Sequence, residues 1–256
     1  MPTARSIEQQ IILLAEWIQT ANSIVFFGGA GVSTESGIPD YRSESGLYAS
    51  RAVYGHSPEE LLSHTTFVRE PDLFFKYYKE NLIAIDARPN LAHQALAELE
   101  ARGKLKAVIT QNVDGLHQSA GSQVVYELHG SNWRQFCVDC GTRYSLQYIL
   151  DTANCRGFIP ICKKCGGIVR PAVVLYEEQL ESSVVDAAVT VIKAAELMII
   201  GGTSLAVYPA AGLIRYFNGQ HLVLINKSPT AFDQEADLVI NAAIGELLDA
   251  VMRLVD

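Results

Sequence analysis

Short apolar runs alternate with longer amphipathic segments through most of the chain, and this alternation limits its fold more than any other feature. The runs are too short for helices and predict buried strands at 23–27, 107–109, 124–128, 197–200 and 222–225. Helical spacing of apolar residues follows Ser6 near the start and recurs at 91–102, 209–217 and 245–254. Strands that alternate with helices predict an α/β fold, a doubly wound parallel sheet covered on both faces.

Two segments interrupt this pattern. In residues 46–88 the sequence Ser57-Pro58-Glu59-Glu60 has the composition of a helix start, and many aromatic residues follow, so we predict a helical insertion. In residues 132–170 the apolar periodicity breaks up and cysteines appear. The predicted main domain therefore consists of 1–45, 89–131 and 171–256.

The cysteines of the second segment have the spacing of a metal site. Cys137 and Cys140 form one CxxC pair, Cys162 and Cys165 form another, and 21 residues lie between the pairs. Four thiolates at this spacing predict a zinc-ribbon module with one structural Zn²⁺ and no open position. A redox role for either pair is the alternative, and Cys155 is expected to be a bystander.

Composition excludes several classes of function. The formal net charge is −8, so the chain lacks the basic excess that sequence-independent nucleic-acid binding requires, and we expect no direct nucleic-acid contact. No apolar run reaches the roughly 18 residues of a membrane span, and the first residues lack the apolar core of a signal peptide. We therefore expect a cytoplasmic protein without membrane contact.

The sequence Gly28-Gly29-Ala30-Gly31 directly follows the first predicted strand. Such a turn brings backbone N–H groups close to a pyrophosphate in dinucleotide-binding folds. An ordinary tight turn between a strand and a helix would have the same composition, so the turn alone does not identify a cofactor site.

The longer stretch FGGAGVSTESGIPDYRS at 27–43 resembles the signature of the sirtuins, the NAD-dependent protein deacylases. Further similar motifs follow in order: TQNVDGLH at 110–117, ELHGSN at 127–132, the paired CxxC motifs, VVLYEE at 173–178, GTSLAVYPA at 202–210 and INKSPT at 225–230. The resemblance runs from about residue 7 to residue 250 and is to the prokaryotic type. It implies a Rossmann-like domain with a small zinc-ribbon module and a helical insertion.

The resemblance also implies an activity: acyl-lysine, NAD and water would give lysine, nicotinamide and O-acyl-ADP-ribose. His129 would be the general base, with Asn112 and Asp114 as further catalytic residues. The implied NAD contacts are Ala30, Thr34, Asp40, Tyr41, Arg42, Gln111, Asn112, Val113, Asp114, His129, Thr203, Ser204, Asn226 and Ile244. The implied contacts of the acyl-lysine peptide are Val173, Val174, Leu175 and Tyr176.

Each of these residue types also has a common structural role. A lone histidine is more often structural than catalytic, and the chain has five others. Ser204 and Asn226 are typical of helix caps and turns, and Asp114 of a turn before a helix. The segment Val173, Val174, Leu175 would otherwise be a plain sheet edge.

Three residues depart from the family pattern: Gly28 replaces a common Thr, Tyr41 a common Phe and Glu177 a common Gly. Relatives that remove succinyl or malonyl groups have a Tyr and an Arg three residues later in the helical insertion. The comparable stretch at 74–79 lacks this Arg, which favours a neutral acyl group such as acetyl.

Two other functions use the same cofactor site. The protein would be an NAD glycohydrolase or ADP-ribosyltransferase if it did not need an acyl-lysine peptide, or a non-catalytic sensor of NAD or ADP-ribose if it released no nicotinamide. We expect a monomer, although no sequence feature determines the oligomeric state.

Overall fold

The computed structural model describes residues 5–40 and 54–255. Two of the predicted NAD contacts, Tyr41 and Arg42, lie outside this part of the chain, as do residues 46–53 of the predicted helical insertion.

Within the described residues a six-stranded parallel sheet forms the centre of the fold. The strands are β1 (Ile24–Gly28), β2 (Leu105–Thr110), β3 (Val125–Glu127), β4 (Gly130–Cys137), β5 (Arg143–Ser145), β6 (Cys155–Arg156), β7 (Ile159–Pro160), β8 (Val169–Val173), β9 (Leu197–Gly201), β10 (His221–Ile225) and β11 (Leu238–Ile240). The order in the large sheet is β11-β10-β9-β1-β2-β3. Counted along this sheet alone the order is 6-5-4-1-2-3, the arrangement of the Rossmann fold.

Helices cover both faces of the large sheet, as the alternation of strands and helices predicts. The helices are α1 (Ile7–Thr20), α2 (Pro58–Leu61), α3 (His64–Arg69), α4 (Pro71–Asn81), α5 (Leu91–Ala101), α6 (Leu116–Ala120), α7 (Leu146–Leu150), α8 (Ser182–Ala194) and α9 (Ile244–Met252). One core contains residues of α1, α5 and α9, and the opposite core contains residues of α8 and of a 3₁₀ segment, Ala210–Tyr216. Burial of apolar surface on both faces stabilises the sheet.

Some elements differ from the sequence prediction. The segment predicted as a helix at 209–217 forms the 3₁₀ segment, and Gly212 within it has low α-helix propensity. Helix α8 and strand β11 were not identified from the sequence. The apolar residues of α8 do recur at helical spacing, so the pattern was present.

The helices after residue 54 and the cysteine module form one small lobe, which we define as residues 54–83 and 132–175. Phe74, Tyr77 and Tyr78 of α4 are fully buried in the same core as Cys137 and Cys162. A three-stranded antiparallel sheet, β5-β4-β8, lies in this lobe. The two insertions therefore share one hydrophobic core. The domain boundaries at 45/46, 88/89, 131/132 and 170/171 stay a prediction.

No helix in the described residues combines the length and the apolar character that crossing a bilayer would require.

Candidate active site

The point at which the strand order reverses lies between β1 and β9, which are neighbours in the sheet. Ligands of doubly wound sheets bind beyond the carboxyl ends of the strands at this point. Here the Gly31 N–H donates to the Gly202 carbonyl at 2.8 Å. A Cβ atom at Gly31 would lie only 2.8 Å from the Gly202 Cα atom, so the two turns approach too closely for any side chain at this position.

The glycine turn continues into two short 3₁₀ turns, Ala30–Val32 and Thr34–Ser36. These contain Ala30 and Thr34, two of the predicted NAD contacts. The N–H of Gly29 donates to Gly201 at 3.3 Å, so the N–H groups of Gly29 and Gly31 join β1 to β9 and are already used. A pyrophosphate at this turn therefore needs other donors than these two.

Asn90 holds the two 3₁₀ turns in place, a role that the sequence reasoning missed. Its Nδ2 atom donates to the Val32 carbonyl at 2.7 Å and to Ser36 Oγ at 3.0 Å. Its Oδ1 atom accepts from the N–H of Ala92 at 2.9 Å, which caps α5. The available signal was an Asn directly before a helical apolar pattern.

Gln111 follows β2 and contacts both neighbouring turns. Its N–H donates to the Gly28 carbonyl at 3.0 Å, and its Nε2 atom donates to Thr203 Oγ1 at 3.1 Å. The structure therefore brings together Gln111 and Thr203, two predicted NAD contacts that follow different strands.

Ser33 connects Asn112 and Asp114, the two residues predicted to act with the base. The Asn112 Nδ2 atom donates to Ser33 Oγ at 3.1 Å, and Ser33 Oγ donates to Asp114 Oδ2 at 2.7 Å. Ser33 is 1% exposed, so the hydroxyl that joins the two side chains is shielded from water, whereas Asn112 and Asp114 are half-buried. Asp114 Oδ1 also accepts from the N–H of Leu116 at 2.9 Å, so the turn role considered for this residue is present as well.

Sequence reasoning did not single out Ser33. Its place directly after a glycine turn was the available signal, but nothing in the sequence indicated which side chains it would meet.

His129 lies two residues after β3, at the carboxyl edge of the sheet. Its Nδ1 atom lies 2.9 Å from the Gln111 carbonyl oxygen. Because a carbonyl can only accept, Nδ1 carries the proton of the neutral ring and Nε2 has the free lone pair. Burial lowers the pKa of His129, and the hydrogen bond to Gln111 partly offsets this effect. The ring is therefore neutral at neutral pH and able to accept a proton at Nε2.

The other histidines have different surroundings. The rings of His93 and His117 are fully buried with centroids 4.7 Å apart, and burial lowers their pKa values to about 4 and about 3. His56 and His64 are exposed, and His221 stacks on Trp17. Among the six histidines, all of which the structure describes, His129 is the one bonded to the turn after β2.

The remaining predicted contacts lie on several loops. Asp40 and Asn226 are half-buried, Ser204 is exposed after β9, and Ile244 is the buried first residue of α9. Asn226 Nδ2 donates to the Ser228 carbonyl at 2.7 Å, a turn contact of the kind considered for this residue. The Val113 carbonyl accepts from the N–H of Asn132 at 2.9 Å.

The predicted peptide segment connects the site to the small lobe. The Val174 N–H donates to the His129 carbonyl at 2.9 Å, and Val173 pairs with Gly130 of β4. Tyr176 is 37% exposed, and its backbone pairs with Leu62 and His64. The segment 173–176 therefore contacts His129 at one end and the helical insertion at the other.

The four cysteines of the two CxxC pairs converge, as their spacing predicts. Their Sγ atoms all lie within 4.8 Å of one another, including 3.4 Å from Cys137 to Cys165 and 3.7 Å from Cys140 to Cys162. Sulfur atoms bound to one tetrahedral Zn²⁺ at about 2.3 Å lie about 3.8 Å apart. The donor set therefore fits a closed structural zinc site. Cys155 lies apart from it, with its Sγ atom 3.3 Å from Lys79 Nζ.

Comparison with known proteins gives close similarity over nearly the whole chain. An NAD-dependent protein deacetylase of Clostridium acetobutylicum is 56% identical over 239 residues, which cover 93% of this chain and 96% of that protein. A structure of a Sir2 variant with a deacetylated p53 peptide and 3′-O-acetyl ADP ribose is 36% identical, with a TM-score of 0.86 and coverage of 94% and 96%. A structure of Sir2 with a p53 peptide and NAD⁺ is also 36% identical, with a TM-score of 0.83 and the same coverage.

The family model described as "Sir2 family" matches residues 29–209. This match begins at the glycine turn, includes His129 and the four cysteines, and ends after the loop that follows β9. The chain belongs to the Sir2 family.

Proposed function

We propose that this chain is an NAD-dependent protein deacetylase, which converts acyl-lysine, NAD and water to lysine, nicotinamide and O-acyl-ADP-ribose. The observation that carries this proposal is the contact of His129 Nδ1 with the Gln111 carbonyl at the carboxyl edge of the sheet. It fixes a neutral imidazole next to the turns where a dinucleotide binds in this fold. The deacetylase relative and the similar Sir2 structures with peptide, NAD⁺ or acetyl ADP ribose support the same activity.

The donor set of the carboxyl edge fits NAD. Thr203 and Ser204 follow β9 and Asn226 follows β10, so hydroxyl and amide groups suited to phosphate, ribose and adenine gather on one side of the switch point. Ala30, Thr34, Asp40, Ile244 and the loop residues Tyr41 and Arg42 complete the proposed NAD contacts. Bound NAD supplies the electrophile, the ribose carbon that carries nicotinamide.

The Ser33 network would bind the nicotinamide carboxamide. The Asp114 carboxylate accepts hydrogen bonds, and the Asn112 amide both donates and accepts them, which suits an amide ligand. Ser33 holds both side chains in fixed positions. A pre-organised site loses less conformational entropy when it orients the ring for bond cleavage.

His129 would act as general base. Its Nε2 atom accepts a proton from a ribose hydroxyl, while the Gln111 carbonyl holds the Nδ1 proton and stabilises the ring after it becomes charged. Burial keeps the ring neutral before the reaction, so it does not have to lose a proton first.

The acyl-lysine peptide would lie along the segment from Val173 to Tyr176. A strand added at this edge binds through its backbone, so little preference for flanking residues is expected. In the comparable part of α4, Tyr77 and Tyr78 are fully buried, and no Arg stands three residues after either Tyr. We therefore propose a neutral acyl group such as acetyl rather than an acidic one.

Cys137, Cys140, Cys162 and Cys165 would hold one structural Zn²⁺. Four thiolates leave no open coordination position, so the metal would stabilise the small lobe and would not activate water.

The proposal is tested by mass spectrometry of the products from a panel of peptides with NAD. We expect nicotinamide and O-acetyl-ADP-ribose with an acetyl-lysine peptide, and little product with the unmodified or the succinylated peptide. Nicotinamide release that does not depend on the peptide would support an NAD glycohydrolase or ADP-ribosyltransferase, and NAD binding without any release would support a sensor.

The acidic net charge of −8 supports a protein without direct nucleic-acid contact. A cytoplasmic location without membrane contact is proposed. A monomer is proposed, and sedimentation analysis of the purified protein tests it.

A further inference from the structure

Arg170 and Glu178 form a shielded ion pair that the reaction itself does not use. Arg170 Nη1 lies 2.6 Å from Glu178 Oε1, and Arg170 Nη2 lies 3.0 Å from Glu178 Oε2, so the contact is bidentate. The side chains are 9% and 22% exposed. The guanidinium also lies 5.0 Å from the centre of the Phe67 ring. Removing two charges from water costs free energy, and the two parallel hydrogen bonds of the bidentate contact offset part of this cost.

Both partners also bind the backbone between them. Arg170 Nη2 donates to the Val173 carbonyl at 2.7 Å, and Glu178 Oε2 accepts from the N–H of Leu175 at 2.9 Å. The N–H of Glu178 donates to the Leu175 carbonyl at 3.0 Å. The two charged residues therefore fix the path of the segment proposed to receive the peptide.

A third contact connects this arrangement to the helical insertion. Glu178 Oε1 lies 3.0 Å from His64 Nδ1, at the start of α3. The Arg170 guanidinium, the N–H of Leu175 and the His64 imidazole each bind the Glu178 carboxylate. Burial works against the charged form, but these contacts outweigh it and lower the pKa of Glu178 to about 2, so the group is charged at neutral pH.

On these contacts we infer that Arg170 and Glu178 are positioning residues for the acyl-lysine peptide: they hold Val173 to Tyr176 in the shape that the peptide backbone recognises. The inference rests on the proposed deacetylase function. Neither side chain touches the turns at Gly31 and Gly202, so the binding of NAD depends little on the pair.

The first test is Glu178→Gln, which keeps the size of the side chain and removes its charge. Peptide turnover is measured with peptide varied at saturating NAD, and then with NAD varied at saturating peptide. The expected result is a KM for acetyl-lysine peptide raised about tenfold, which corresponds to about 1.4 kcal/mol, with the KM for NAD within about twofold of wild type. Arg170→Lys keeps one charge without the bidentate geometry, and its KM for peptide should lie between wild type and Glu178→Gln.

The single variants leave one buried charge without its partner and can lose stability for that reason. The double variant Arg170→Met/Glu178→Leu removes both charges, and apolar replacement of a buried pair often preserves the fold. It also removes the contacts with Val173 and Leu175, so its KM for peptide should still rise about tenfold. Thermal unfolding and zinc content establish that each variant is folded, and Glu98→Gln, in an exposed pair with Arg102, is the matched control.

An unchanged KM for peptide in the folded double variant would overturn the inference, as would an equal rise in the KM for NAD. A wild-type protein that does not deacetylate the peptide at all would overturn the proposed function instead, so the two failures are distinguishable.

Discussion

The Nδ1 atom of His129 is held 2.9 Å from the backbone carbonyl of Gln111, which connects the end of β3 to the end of β2. The partner is a backbone group, so no side-chain substitution removes it. The tautomer of the imidazole is therefore fixed by the fold of the sheet itself.

Replacing His129 with Ala should abolish most peptide deacetylation because no group remains to accept the ribose proton. Loss of a general base reduces kcat by about 100- to 10,000-fold. Product formation by mass spectrometry measures the effect, and NAD binding by calorimetry should persist. His221→Ala, which changes a histidine that stacks on Trp17, serves as control. Full turnover by His129→Ala would contradict the assignment of the base.

The pH profile should report the lowered pKa of His129. Because burial disfavours the charged ring, kcat/KM for peptide should fall only as the pH drops below about 6.5, the ordinary value for histidine. Steady-state rates between pH 5 and pH 9 test this. A midpoint of the acidic limb above pH 7 would show that a different group controls the rate.

Ser33→Ala should lower kcat/KM for NAD, although Ser33 is not a proposed catalytic base. The change leaves Asp114 Oδ2 and Asn112 Nδ2 without their shared partner in a partly buried site, at a cost near the lower end of the about 1–3 kcal/mol that a buried unpaired group carries. We expect kcat/KM for NAD to fall about tenfold, measured at saturating peptide. Ser183→Ala, at an exposed serine of α8, should have no effect, and an equal loss there would make the result non-specific.

The edges of the sheet were largely predictable from the sequence, whereas contacts across it were not. Apolar runs followed by Gly31, Gln111 and Thr203 indicate strand ends, and parallel strands place their ends together. The contact of Ser33 with Asp114 joins residues far apart in the chain, and single-sequence patterns contain no information about such pairs. The same is true of Asn90: the sequence indicates its role as a helix N-cap but not its hydrogen bonds to the 3₁₀ turns.

The structure of the small lobe was likewise predictable from the sequence only in part. The CxxC spacing is sufficient to predict the convergence of four thiolates. It does not indicate that the aromatic side chains of α4 pack against the same module, because that core depends on the relative placement of two segments distant in sequence. The pairing of Arg170 with Glu178 was missed for a related reason: charged residues are usually exposed, and the sequence does not reveal that this pair is shielded.

The buried histidines predict acid sensitivity of the fold. The pKa values of His117 and His93 are lowered to about 3 and about 4 in the folded protein, so the unfolded chain binds protons more readily below pH 6.5. The stability from these groups is fully present above about pH 6.5 and is lost as the pH falls, at about 1.4 kcal/mol per pH unit for each histidine. Urea unfolding at pH 7 and pH 5 measures this slope.

His117→Gln should reduce that slope, because only His93 then titrates in this window. Ser119→Ala, on the same short helix, should leave it unchanged. A slope that His117→Gln does not alter would mean that other groups cause the acid sensitivity.

Removal of zinc should unfold the small lobe and lower activity indirectly. Metal analysis of native protein should give one zinc per chain, and chelation should release it together with the loss of the near-UV circular dichroism of the buried aromatic residues. Cys137→Ser should bind no zinc, whereas Cys155→Ser should retain it. The absence of stoichiometric zinc in native protein would reject the assignment.

The shared core of α4 and the cysteine module has a consequence for synthesis on the ribosome. The aromatic side chains of α4 emerge long before β8, against which their lobe is completed. Until Val173 has emerged from the ribosome, these rings lack their packing partners, and the nascent chain exposes apolar surface that is prone to aggregation. Chaperone contacts during translation should therefore concentrate on α4 and end once β8 has left the exit tunnel.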